Sequence, residues 1–199
     1  MKRLFTITLG LLVLIGCDQE ERKSPVVQTE EDDGVFYASY EDVDETTRTF
    51  VDDTMSILWH EDDCITLFRS TLNEEFEFVG DTGDSAGSFK EVEREDFVTG
   101  GEISTNYAVY PYDSDITINS DESISLTLPA IQQYAENSFG QGANTAVAAS
   151  ESASSKFLPF RNVGGYLVVK LYSPAGKVRS IELTGNNNEI LAGEATVQA

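Results

Sequence analysis

Several stretches of the chain bring together side chains whose types could do chemistry. Leu14-Ile15-Gly16-Cys17 ends an apolar run, residues 4–15, that follows the basic Met1-Lys2-Arg3. A basic start, an apolar run and a small residue before cysteine make a lipobox, which predicts cleavage before Cys17 and lipid attachment to its thiol. His60, the only histidine, stands beside Asp62, Asp63 and Cys64, groups that elsewhere make a metal centre or an activated nucleophile. Neighbours along a strand alternate faces and no second histidine orients Cys64, so no such site is expected, and Cys64 reads as a small buried hydrophobe. Asp81-Thr82-Gly83-Asp84-Ser85 begins like a calcium loop, but the twelfth position is Val92 where such a loop needs glutamate; a turn is expected. Asp113, Asp115, Asp121 and Glu122 read as a solvated acidic loop. Tyr107, Tyr110 and Tyr112 fit either a sugar-stacking platform or a core. With no glycine-rich phosphate cradle and no paired cysteines, the expected inventory holds no catalytic residue, metal or cofactor, and the chain reads as a non-enzyme.

The lipid-bearing cysteine sets how everything after it is held. Residues 4–15 would span about 18 Å as a helix, short of the roughly 30 Å hydrocarbon core, so residues 1–16 read as a removable signal peptide. Attached acyl chains each contribute about 0.8 kcal/mol per buried methylene, and several together anchor stably. Residues 17–33 are polar and acidic, with Pro25, and form a tether with no core-forming pattern. Losing Lys2 and Arg3 leaves 11 basic residues against 35 acidic ones, a net charge of −24. Such a surface repels phosphate backbones and anionic headgroups, which excludes nucleic acid as a partner. With Cys17 lipidated, Cys64 has no cysteine to pair with, and the fold must rest on its core.

Residues 34–199 suffice for one domain burying roughly 70% of its unfolded surface. Val35–Tyr40 is the first strand candidate; residues 48–51, 56–59, 64–68, 76–79, 107–112, 115–118 and 123–128 follow. Residues 129–139 suggest a short helical turn, and the Ala- and Ser-rich residues 143–155 a flexible or edge segment. Residues 166–171, after Gly164-Gly165, are apolar on both faces and read as a central strand covered on two sides, in a hairpin with residues 178–183. A further strand pattern occupies residues 190–199. Spacings of about 8 to 12 residues with turn signals between them favour an all-β sandwich.

Arg48-Thr49, Trp59 with Glu61-Asp62-Asp63 and Ile65, Phe76 and Phe78 before Gly80, residues 107–112, Leu128-Pro129, Phe160-Arg161-Asn162-Val163-Gly164-Gly165, Ser180-Ile181-Glu182-Leu183 with Gly185-Asn186, and residues 189–193 occur in this order. Together they resemble the N-terminal domain of the fimbrillin family of Bacteroidetes, over most of residues 35–193. The acidic Asp18-Gln19-Glu20-Glu21 after Cys17 likewise resembles the stretch that directs lipoproteins of that group to the cell surface. The resemblance implies a transthyretin-like β-sandwich of about seven or more short antiparallel strands. It implies a lipoprotein of the cell outer membrane, assembled with other fimbrial subunits into fimbriae. Members usually carry a second β-sandwich domain, absent from this chain.

In that family assembly proceeds by strand exchange, and the strand expected to exchange here, at a sheet edge, comprises Val35, Phe36, Tyr37, Ala38, Ser39 and Tyr40. Arg22 and Arg48 flank it as candidate protease sites. The alternative is a surface lipoprotein that binds a glycan or another host or bacterial ligand through Tyr107, Tyr110 and Tyr112.

Overall fold

Phe76 and Phe78 alternate with Glu75, Glu77 and Val79, and this period of two makes a strand with both phenylalanines inward and Val79 outward. The same logic, repeated, gives an all-β chain in the computed structural model, which describes residues 33–40, 57–94, 98–135, 138–140, 143–167, 169–172, 174 and 176–199. In order the strands are β1 (Val35–Tyr40), β2 (Cys64–Phe68), β3 (Glu74–Val79), β4 (Ala86–Glu91), β5 (Tyr107–Tyr110), β6 (Thr117–Ile118), β7 (Ile124–Leu128), β8 (Tyr134–Ala135), β9 (Ser138–Phe139), β10 (Ala146–Ala149), β11 (Phe157–Asn162) and β12 (Gly193–Val197). No helix occurs among the described residues.

Seven strands close into a barrel in the order β1-β11-β10-β5-β2-β3-β4, and β12-β7-β6 form a separate three-stranded sheet. Inside the barrel lies an aromatic core of Phe36, Trp59, Phe76, Phe78, Phe89, Tyr110 and Phe160, with Ile65, Leu67 and Leu158. Outside it, Phe68, Val109 and Val147 of the wall pack against Ile124 and Leu126 of the small sheet. The wall β2-β5-β10 is therefore buried on both faces, which is why these strands carry apolar or small side chains at successive positions. The outer face of β1 and its neighbours faces solvent, and Tyr37 is 51% exposed there.

Several sequence expectations are corrected. The main sheet is a closed barrel, and β1 pairs with β11 in parallel, where only antiparallel pairing was expected. Residues 166–171 are not the central strand: Tyr166, Leu167, Val169 and Leu171 are exposed, as are Val178, Ile181 and Leu183 of the expected hairpin. Two-sided burial belongs instead to β2, β5 and β10, because the small sheet covers those strands, whereas of the described residues in 166–171 only Tyr166 is shown to have an aromatic neighbour, Phe139. The Ala- and Ser-rich segment, expected to be flexible or at an edge, supplies β10, paired on both sides within the barrel, where Ala146 and Ala148 fit a crowded interior. Residues 129–139 hold the hairpin β8-β9 in place of a helical turn. Trp59 lies outside any strand, in the segment leading to β2.

Candidate functional site

β1 has the bounds read from sequence, Val35–Tyr40, but it is not at an edge. Its backbone pairs antiparallel with β4, from Val35 opposite Lys90 to Ser39 opposite Ala86. On its other flank it runs parallel to β11, from Tyr37 beside Phe157 to Tyr40 beside Phe160. The edge expectation fails because β11, which precedes the 166–171 run in sequence, comes round to meet β1 and closes the sheet.

Alternation aims Phe36, Ala38 and Tyr40 into the barrel. Phe36 meets Phe76 edge-on at 5.6 Å between ring centroids. Tyr40 lies 5.0 Å from Trp59 and 5.9 Å from Phe160. Between them Ala38, 1% exposed, has Leu158 on one side and Gly87 on the other. The ring of Phe78 fills the space a side chain at Gly87 would need, coming within 2.1 Å of where its Cβ would stand.

The two ends of β1 are held differently. At its start the Asp33 carboxylate accepts a hydrogen bond from the Val35 backbone (3.1 Å) and an ion pair from Lys156 (2.7 Å), while Gly34 adopts φ +67° to turn the chain in. The Tyr37 N–H donates to the Lys156 carbonyl at 2.8 Å. At its far end the Tyr40 hydroxyl is buried. Asn144 stands near it, but neither that hydroxyl nor the Asn144 amide nitrogen completes a hydrogen bond among the described residues. Burial pushes the Tyr40 phenol far above its ordinary pKa, so it stays neutral.

The remaining sequence candidates do not converge. Asp63 turns inward, its carboxylate accepting from the His60 backbone (2.7 Å) and the Tyr110 hydroxyl (2.8 Å). His60 faces outward, 3.9 Å from the exposed Asp62 carboxylate. Burial first, then the nearby Glu75 charge, push the Cys64 thiol up to about 11, the reverse of what a nucleophile requires. The Asp84 carboxylate accepts from the Asp81 N–H and the Asp81 carbonyl from the Asp84 N–H, a turn as expected. Asp113 and Asp121 likewise bind the backbone of Asp115 and Ser123. No group of three potential metal ligands forms among the described residues.

The tyrosines make no platform either. Tyr110 is 7% exposed in the core, and Tyr107 donates to Glu122 at 2.7 Å beside the second core. A cleft of about 150 Å³ between Val109, Ile116 and Leu126 is smaller than the roughly 300 Å³ at which small-molecule pockets begin.

Cys17, Arg22 and Arg48 lie outside the described residues. Sequence reading found β1 and placed Phe78 in a strand, but gave Phe78, Gly87 and the Asp33–Lys156 pair no part beside β1. Gly80 and Gly87 flanking a loop after Phe78 were the available signal for the first two; the ion pair, from residues far apart in sequence, left none. No family model, curated protein or solved structure matches the chain.

Proposed function

We propose that the chain is a surface-exposed lipoprotein of the cell outer membrane, held by lipid on Cys17, that serves as a fimbrial subunit or adhesin joined to other subunits by exchange of β1. The transthyretin-like sandwich implied by the fimbrillin resemblance would then correspond to the wall β2-β5-β10 with the small sheet packed on it. The observation that carries this reading is the position of β1. It is the first described strand, and it alone bridges β11 and β4. Taking it out leaves a six-stranded open sheet with unpaired donors and acceptors along both β11 and β4, and an apolar channel where Phe36 and Ala38 lay. A channel so made recruits an extended strand.

A second observation supports assembly. Leu167, Val169, Leu171, Val178, Ile181, Leu183, Ile190 and Leu191 are all exposed within one stretch, the kind of apolar surface that associating proteins cover. Shearing surface filaments from cells that make this chain, then probing them by immunoblot and electron microscopy, tests the reading. The chain is expected in the filaments, in complexes with other subunits; its absence from both refutes the proposal.

A further inference from the structure

We infer that the β1 slot selects its strand by size at one inward position, the one Ala38 occupies. It takes an extended peptide with a small residue there and a large apolar or aromatic residue two positions to either side, laid parallel to β11 and antiparallel to β4. The inference rests on the strand-exchange reading and adds to it which strand can enter.

Three observations set the rule. The inward row through Ala38 reads Leu158, Ala38, Gly87 across β11, β1 and β4, and all the space at Gly87 is taken by the Phe78 ring. Neighbouring strands stand about 4.8 Å apart, so any side chain larger than a methyl at position 38 must displace Leu158 or Phe78, both buried. One row along, Phe36 fills a gap against Phe76, and on the other side Tyr40 fills one between Trp59 and Phe160; both positions need a large side chain. The outward positions carry no such demand, since Tyr37 points to solvent and Val35 and Ser39 are only half-buried.

The pairing seen runs parallel to β11 and antiparallel to β4, and the contact of Asp33 with Lys156 adds to it what a strand entering in reverse would not reproduce. The resident strand is also imperfect at one place. Its Tyr40 hydroxyl completes no hydrogen bond among the described residues, so a phenylalanine should fit the slot as well as the residue present.

The test uses the full chain and labelled octapeptides. Thermal melts compare Ala38→Leu and the milder Ala38→Val with Tyr37→Leu, which places the same leucine on the outer face. The peptide Asp33–Tyr40, the same peptide with leucine in place of Ala38, and the same peptide with phenylalanine in place of Tyr40 are then added to the Ala38→Val chain, and binding is read by fluorescence anisotropy. The expected result is a lower melting temperature for both Ala38 variants but not for Tyr37→Leu. The unmodified peptide should bind at least about tenfold more tightly than the leucine-bearing one, as overpacking of a filled core demands, and the phenylalanine-bearing peptide about as tightly as the unmodified one. Binding of the leucine-bearing and unmodified peptides alike, or Ala38 variants as stable as the parent, overturns the size rule while leaving strand exchange standing. Failure of every peptide to enter, with the Ala38 variants destabilised, overturns strand exchange and the inference with it.

Discussion

Replacing Trp59 with alanine should remove a large part of the protein's stability. Its ring is 1% exposed and meets Tyr40, Phe78, Phe89, Tyr110 and Phe160 at centroid distances of 5.0, 6.2, 5.0, 5.5 and 5.6 Å. Those partners come from β1, β3, β4, β5 and β11, so the hole could close only if five strands moved together. Truncating a buried aromatic to alanine costs about 3 to 5 kcal/mol, and the upper half of that range is expected here, against a total stability of about 5 to 15 kcal/mol. Trp59→Phe should cost far less, about 1 to 2 kcal/mol. It keeps a ring and also removes the indole N–H, which is buried without a partner among the described residues. Urea unfolding should be followed by far-ultraviolet circular dichroism, because Trp59 is the only tryptophan and its fluorescence vanishes with it. A loss under about 1 kcal/mol for Trp59→Ala, or an equal loss for both variants, would refute the account of this core.

Arg69 holds β3 and β4 to the end of β2, gripping Glu74 through two hydrogen bonds of 2.9 and 3.0 Å and Glu91 through one of 2.7 Å, with Phe76 beneath it; Arg69→Ala should cost about 1 to 2 kcal/mol in denaturant melts, and Arg69→Lys should recover only part, since an ammonium cannot grip both oxygens at once. The Cys64 thiol, raised in the fold from about 9 to about 11, should react with iodoacetamide more slowly at pH 8.5 than in urea-unfolded protein. Because the unfolded thiol loses its proton first, the contribution of Cys64 to stability is complete below pH 9 and falls as pH rises from 9 towards 11; melts of the parent and Cys64→Ser across that window should converge at the alkaline end. Cys17→Ser should abolish incorporation of radiolabelled palmitate and release the protein from membranes, and an unmodified Cys17 inside a longer mature N-terminus, seen by mass spectrometry, would refute lipidation.

Where a strand is half-buried, its period of two writes its orientation into the sequence, and β1 and β3 were legible for that reason. Residues 166–171 and β10 show the limit. A run that is apolar on both faces looks the same whether two layers cover it or none does, since covering depends on what packs there. The alanines of β10 carry little strand preference of their own, and burial between β5 and β11 overrides it. Closure of the sheet was illegible too, because β1 and β11 share no local signal that pairs them. The candidate site was thus half readable: the strand could be named, but the slot that holds it depends on Phe78, Gly87, Leu158 and Lys156, which come together only through tertiary pairing.

The parallel contact of β1 with β11 also sets a timetable. Tyr37 and Phe157 are partners 120 residues apart, whereas β2 meets β3 and β3 meets β4 within a few residues of a turn. Contacts between distant segments form late, because the loop entropy must be lost before the contact offsets it. A chain emerging from its N-terminus has made β1 long before β11 exists, so one flank of β1 stays unsatisfied through most of synthesis. Barrel closure should then be the slow step in folding. Until it happens, the nascent protein presents an open seam to whatever chaperone accompanies it.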